Sequence, residues 1–288
     1  MTLPVERVQR MLLGWYAKNM RVLPWRQTTD PYHILVSEMM LQQTQVSRVI
    51  PKYEAFLNTF PTVERLAAAR PGAVIVAWKG LGYNRRAINL HKAAQAIRDT
   101  YNGEFPHKPE QLRTLPGIGE YTSSAVATFA YNHPVAVVDT NVRRIIQRVM
   151  GWPTPIEELI ALQAQQLLPK EARRWNNAIM DFGAMICTDK PSCSLCPIVE
   201  HCRYEKLPAA EQQHFTYAVR KQGTFKGSDR YFRGRIIDLL RSNGELTTNQ
   251  LKKMLTRFGT PQKPMAALLS DLEQDGLVKR VGTTIMLP

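Results

Sequence analysis

The sequence predicts a mostly α-helical protein with a small winged-helix-like unit at its carboxy-terminal end, and three observations carry that expectation. Apolar residues recur at helical spacing through most of the first 215 residues, with Gly or Pro bounding the segments. Only Val135–Val138 resembles a strand there, and it is too short to seed a sheet. The last sixty residues read as three helices followed by a short hairpin. The expected organisation is a core at 1–206, a linker at 207–228 and a winged-helix-like domain at 229–288.

Taken in order, Pro31 opens a helix through about Val49, with Ile34, Leu35, Val46 and Val49 on one stripe. Pro51 restarts a second helix carrying Tyr53, Phe56 and Leu57. The segments Ala73–Trp78, Arg85–Tyr101, Glu110–Thr114 and Tyr121–Tyr131 follow as helices, and another begins near Asn141. About residues 208 to 227 the chain is polar and short of large apolar residues. Beyond it come a helix at Tyr231–Arg241, a turn at Asn243-Gly244, helices after Thr248 and from Pro264 to Gln274, and a β-like end at Thr283–Leu287. A small helical packing domain is the plainer reading of that end.

The 288 residues hold 44% hydrophobic and 22% charged residues, which excludes global disorder. With 38 Lys+Arg against 24 Asp+Glu the formal charge is +14, so a polyanion is expected as partner, nucleic acid before an anionic membrane surface. Residues 216 to 288 alone carry 13 Lys+Arg against 6 Asp+Glu. Glu6, Arg7 and Arg10 interrupt what a signal peptide would need as its apolar run. The longest uncharged stretch, Tyr121 to Val138, is broken by Ser123, Ser124, Asn132, His133 and Pro134, so no membrane span is expected. These features point to a soluble, nucleoid-associated protein of a reducing cytoplasm.

Leu115-Pro116-Gly117-Ile118-Gly119-Glu120-Tyr121 lies between two helical segments. Gly117 and Gly119 allow positive φ and close backbone approach to an anion, and the following helix aims its positive end at the same place. This is a helix-hairpin-helix motif, able to grip a DNA phosphate without reading sequence. A plain linker between helices is the alternative.

The chain's cysteines, Cys187, Cys193, Cys196 and Cys202, follow C-x5-C-x2-C-x5-C. Four thiolates so spaced suit a [4Fe–4S] cluster or a tetrahedral zinc, and spacing does not separate the two. Glu38 falls on the apolar stripe with Ile34, Leu35 and Leu41, where desolvation raises a carboxyl pKa and equips a general acid. A structural Glu paired with a base is the alternative. Asp139 precedes a helix, so it is an N-cap, a catalyst, or both. One protonated and one ionised carboxylate are what cleavage of a glycosidic bond requires, and in DNA the base must first leave the stack.

Leu23-Pro24-Trp25-Arg26, Ser37 to Val46 (SEMMLQQTQV), Gly80-Leu81-Gly82-Tyr83, Asn89 to Ala94, the LPGIG hairpin, Val138–Val142 and Met180 to Cys187 together resemble the MutY-type adenine DNA glycosylases. The similarity covers about residues 5 to 205. It implies a two-lobed helix-hairpin-helix glycosylase fold with an iron–sulfur cluster loop at 187–202, and [4Fe–4S] before zinc. Carried over, Glu38 matches the acid that protonates adenine and Asp139 the carboxylate that stabilises the cationic sugar, with Tyr121 and Asn141 supporting them. Gln43 and Tyr83 match residues that insert into the duplex. Trp25, Arg26 and Asp181 are implied to line the base pocket; Gly117, Gly119 and Lys190 are expected at the DNA. Relatives resembling endonuclease III carry a nucleophilic Lys where this chain has Tyr121, so no strand-nicking lyase step is expected.

Three features depart from that pattern. Five residues, Thr188 to Ser192, separate the first cysteines where six are usual, and they carry Lys190. Thr140 stands where Gly is common. A winged-helix-like unit is expected in place of a Nudix-like domain that reads 8-oxoguanine in many family members. The expectation is a monomeric, monofunctional glycosylase that excises adenine opposite 8-oxoguanine or guanine in double-stranded DNA. A thymine or uracil mismatch glycosylase and a non-catalytic DNA-binding module are its rivals.

Overall fold

The structure is a computed structural model that describes residues 3–215 and 223–288. Part of the expected linker, residues 216–222, lies outside the described residues. The helices run in the order α1 (Val5–Asn19), α2 (Pro31–Leu41), α3 (Val46–Thr59), α4 (Val63–Ala68), α5 (Pro71–Ala77), α6 (Arg85–Thr100), α7 (Pro109–Leu112) and α8 (Glu120–Tyr131). There follow α9 (Thr140–Met150), α10 (Glu157–Gln166), α11 (Ala172–Met185), α12 (Ala209–Gln212) and α13 (Asp229–Asn243). The chain closes with β1 (Glu245–Thr247), α14 (Thr248–Leu255), α15 (Met265–Gln274), β2 (Lys279–Val281) and β3 (Thr284–Met286). A mostly helical fold with a winged-helix-like end is what the sequence predicts.

The break between α2 and α3 is not where the prolines suggested. The helix from Pro31 ends at Leu41, and Pro51 sits inside α3 rather than at its start. Gln43 adopts φ +54°, which no α-helix continues through, and Thr44 closes a turn by donating to the Leu41 carbonyl at 3.1 Å. Pro51 falls early enough in α3 that its missing N–H removes one bond without breaking the helix.

The chain divides into two interleaved compact units. The first comprises 1–34, 107–113 and 118–220. Its core follows helical spacing: Val8 and Leu12 of α1, Val142, Ile145, Ile146 and Val149 of α9, and Trp175, Ile179 and Phe182 of α11. Ile198 joins that core from the cysteine loop.

The second unit comprises 35–106, 114–117 and 221–288. Its hydrophobic core joins the carboxy-terminal elements to the helices before them: Ile75 of α5 and Ile88 of α6 pack with Phe232, Ile236 and Leu240 of α13, with Leu268 and Leu272 of α15, and with Ile285 of β3. Each such side chain contributes about 1.5–3 kcal/mol of burial. Thr247 forms a capping box with Gln250 at the start of α14. The sheet is antiparallel in the order β1-β3-β2, with Leu246 and Arg280 both opposite Ile285.

Candidate functional site

In the first unit, Asp139 caps α9. Its Oδ1 accepts from the Val142 amide at 2.7 Å, and its Oδ2 from Asn141 Nδ2 at 2.9 Å. Asn141 Oδ1 in turn accepts from Arg144 Nη2 at 2.8 Å, and Arg144 also donates to the carbonyls of Gly183 and Cys187, each at 2.8 Å. A carboxylate, an amide and a guanidinium are therefore chained to the backbone where the cysteine loop begins. Gly183 makes this approach of α9 to α11 possible, since a Cβ there would lie 2.6 Å from Asn141 Cβ. Burial raises the Asp139 carboxyl above its ordinary range, and the Val142 and Asn141 donors and Arg144 draw it only part of the way back. The cap reading and the catalytic reading are geometrically compatible: one oxygen caps the helix and the other is oriented by Asn141.

Asp181 on α11 has no exposed surface. Arg26 holds it with two bonds, 2.6 and 2.8 Å, and Arg21 adds its side chain at 2.5 Å and its amide at 3.0 Å. Burial pushes that carboxyl up, but the two arginines outweigh it and keep it below the carboxylate range. Asp181 thus fixes Arg26, next to the buried Trp25, in a 3-10 turn at Pro24–Arg26. Tyr121 stands half-buried in the first turn of α8.

All four cysteines are free thiols and line one small cavity together with Arg148 and Tyr204. Arg148, one turn beyond Arg144, donates to the Thr188 carbonyl, to the Asp189 carbonyl at 3.0 Å and to Cys187 Sγ at 3.4 Å. Burial pushes the thiols of Cys193, Cys196 and Cys202 up, Cys196 to about 12. Among the described residues no group of three His, Cys, Asp or Glu side chains is arranged for a single metal ion. Four thiols set around a common cavity are a donor set that fits a metal centre. Lys190 is exposed in this loop, where its carbonyl accepts from Thr188 Oγ1 at 2.6 Å.

The second unit holds Glu38, Gln43, Tyr83 and Gly117. Glu38 is only 5% exposed, on a helix whose neighbours Leu35, Met39 and Met40 are core residues. Among the described residues only four other than glycine have positive φ: Gln43, Tyr83, Asn102 and Asn132. Asn tolerates that region; Gln and Tyr do so at a cost of about 1–3 kcal/mol. Arg86 of α6 supports both strained loops. It donates to the Met39, Met40 and Gln42 carbonyls (2.8, 2.9 and 2.6 Å), to Thr44 Oγ1 at 3.1 Å, and to the Leu81 and Gly82 carbonyls (3.1 and 3.2 Å). Burial among these neutral acceptors lowers its pKa to about 10, which still leaves it charged at neutral pH. Sequence reasoning missed Arg86, although Arg86, Leu90, Ala93 and Ile97 share one buried face of α6. Arg144 and Arg148, buried beside Ile145 and Val149, were missed in the same way.

In the hairpin, Gly117 has φ +76°, and a Cβ there would lie 2.5 Å from Asn89 Cβ. Gly119 differs from expectation. It is extended, φ −91° and ψ −174°, because it is the N-cap of α8 and its carbonyl accepts from the Ser123 amide at 3.0 Å. The first glycine makes the left-handed turn alone.

Residues 36–170 match the model of the HhH-GPD superfamily of base excision DNA repair proteins. The chain is 41% identical over 287 residues to the adenine DNA glycosylase of Mycolicibacterium smegmatis, covering 96% of this chain and 92% of that one. It is 38% identical over 281 residues to the adenine DNA glycosylase of Mycobacterium tuberculosis H37Rv, covering 93% and 89%. Matches of that extent run into the carboxy-terminal winged-helix-like segment as well. A solved thermostable thymine-DNA glycosylase superposes with a TM-score of 0.67 at 30% identity, covering 70% of this chain and 96% of that one. With identity sustained along nearly the whole length of two such relatives, the chain belongs to the adenine DNA glycosylase family within the helix-hairpin-helix base excision repair superfamily.

Proposed function

We propose that the protein is a monofunctional DNA glycosylase that removes adenine paired with 8-oxoguanine or guanine, acting as a monomer on double-stranded DNA in the cytoplasm. The observation that carries this reading is the 41% identity over 96% of the chain to an adenine DNA glycosylase. Glu38, buried at 5% exposure, and Asp139, a carboxylate held by an amide and Asn141, supply the acid and the charge that glycosidic cleavage needs.

Glu38 donates its proton to the leaving adenine as the bond from base to sugar breaks and its electron pair moves to the base. Asp139 stabilises the oxocarbenium-like sugar, and Asn141, itself held by Arg144, keeps its Oδ2 in place. Water then adds hydroxide to the sugar and returns a proton to Glu38. Tyr121 offers no amine, so no Schiff base forms with the sugar. Gln43 and Tyr83, presented by strained backbone that Arg86 braces, enter the stack as the adenine leaves it; Trp25 and Arg26 border the extruded base. Gly117, Gly119 and Lys190 meet phosphates. The core of residues 1–206 carries this chemistry, 207–228 link it onward and 229–288 form a winged-helix-like domain.

Cys187, Cys193, Cys196 and Cys202 would hold a [4Fe–4S] cluster, zinc being the second choice. Bound there, it would cross-link the 187–202 loop and supply positive iron to four clustered thiolates.

Single-turnover assays on duplexes with A opposite 8-oxoguanine and A opposite G test the reading, and no release of adenine from either sinks it. Thymine or uracil released from G:T or G:U duplexes would favour the alternative suggested by the thymine-DNA glycosylase likeness. Binding without any excision would favour a non-catalytic module.

A further inference from the structure

A helix-turn-helix or winged-helix unit commonly meets DNA by laying its recognition helix in the major groove. The corresponding helix here is α15, and its sequence, MAALLSDLEQ, contains no Lys or Arg. Its Asp271 and Glu273 already pair with Lys263 at 2.8 Å and with Arg280 at 2.7 Å, and Leu268, Leu269 and Leu272 are buried. With its acids paired and no basic residue of its own, this helix surface offers phosphates little attraction.

The positive charge gathers elsewhere in the same unit. Arg48 of α3, Arg85 at the start of α6, and Arg230 and Arg233 in the first turns of α13 line one groove of about 620 Å³ together with Tyr83 and Phe225. The one acid on its lining, Asp275, pairs with Arg233 and lies 3.4 Å from Arg85. Arg48 and Arg230 are exposed. The space suits a stretch of strand better than a single anion. Arginines on opposite walls match phosphate oxygens by bidentate hydrogen bonding, and the two aromatic rings offer flat faces beside them.

The two walls are fixed to one another. Arg241 of α13 donates to the Ile75 carbonyl at 2.7 and 3.1 Å and to Asn84 Oδ1 at 2.9 Å. Ile75 and Ile88 share one core with α13 and α15, and the Gly72 amide donates to the Pro288 carbonyl at 2.5 Å. Arginines on α13 therefore keep a fixed spacing to Tyr83.

We propose that the carboxy-terminal unit binds the phosphodiester backbone of duplex DNA in this groove, through Arg230 and Arg233 across from Arg48 and Arg85, and does not insert α15. The proposal rests on the reading of the protein as a DNA glycosylase and assigns the basic tail one wall of a groove whose other wall comes from α3 and α6.

The test uses the full chain and a fluorescent duplex carrying an A:G pair, with Kd measured by anisotropy over a series of NaCl concentrations. The double variant Arg48→Ala/Arg230→Ala replaces two exposed side chains, and its melting curve verifies folding. Its Kd is expected to rise about tenfold near 0.15 M salt, and the slope of log K against log salt to flatten by about 2. Lys252→Ala/Lys253→Ala, on α14 and outside the groove, is expected to leave both unchanged. Unchanged affinity and slope in the arginine variant overturn the proposal, as does a loss seen only in the lysine variant. Wild-type protein that fails to bind the duplex overturns it too. A flattened slope with no adenine release by the wild type leaves the groove standing and removes the glycosylase reading. Adenine release with an unaltered slope in the arginine variant does the reverse.

Discussion

Two arginines organise the two units, and they do so with opposite kinds of partner. Arg144 serves a charge: through Asn141 it steadies Asp139, and its other bonds go to the Gly183 and Cys187 carbonyls. Arg86 serves a shape: all six acceptors are neutral, and they lie in the last turn of α2 and in the two loops whose tips, Gln43 and Tyr83, carry positive φ. The first network tunes the carboxylate proposed to stabilise the sugar, while the second holds backbone in a conformation that it would not keep alone. Disturbing the Arg144 network should therefore change rate and pH dependence, and disturbing Arg86 should change stability and DNA binding.

The largest effect is expected at the carboxylates. Glu38→Gln should lower single-turnover adenine release by about 10²–10⁴-fold with duplex affinity retained. Asp139→Asn should lose a similar factor and carry a thermodynamic signature. Because burial raises the folded pKa of Asp139, the native state binds its proton more tightly than the unfolded chain. The resulting stability is complete below the ordinary carboxylate pKa of about 4 and is lost as pH rises through the raised value. The Tm of the Asn variant relative to wild type should therefore improve as pH rises from about 4 toward the raised value and then level off. A difference independent of pH would show that Asp139 is not desolvated.

Arg86→Met should come next, lowering stability by at least about 3 kcal/mol, because several buried carbonyls lose a charged donor together. Chemical denaturation measures this; a loss under about 1 kcal/mol would mean that the loops support themselves. Arg144→Met should be milder, about tenfold in excision rate. Losing its positive charge also lets the Asp139 pKa rise further, so the acid limb of the rate profile should move to higher pH. A slower variant with an unmoved limb would make Arg144 a packing residue only.

How far the sequence discloses these features depends on the type of residue. Glu38 is conspicuous because a carboxylate on an apolar stripe contradicts its surroundings, Asp139 because it stands at an N-cap position, and the four cysteines by their spacing. The helical fold and the three-helix end are legible from periodicity and turn residues. Arg86 follows Arg85 with nothing in the pair to distinguish a buried side chain from an exposed one. The break after Leu41 also escapes notice, because it is set by the backbone of Gln43, a residue with no turn preference, while the conspicuous Pro51 is absorbed into α3. Tertiary hydrogen bonds to carbonyls overrule local propensity at both places, and they involve partners more than forty positions away.

The smallest predicted effect discriminates best between the two networks. Gln43→Gly removes a side chain from a position with φ +54°. Glycine relieves the strain but adds freedom to the unfolded chain, so the two effects, each about 1 kcal/mol, nearly cancel. Stability should change by less than about 1 kcal/mol, and the acid limb set by Asp139 should stay where it is. Duplex affinity should fall, by about tenfold if Gln43 enters the stack as a wedge. Urea denaturation and anisotropy on one protein preparation read both quantities. Large destabilisation with unchanged affinity would make Gln43 an ordinary turn residue, and strained backbone held by Arg86 would then have no functional use at that loop.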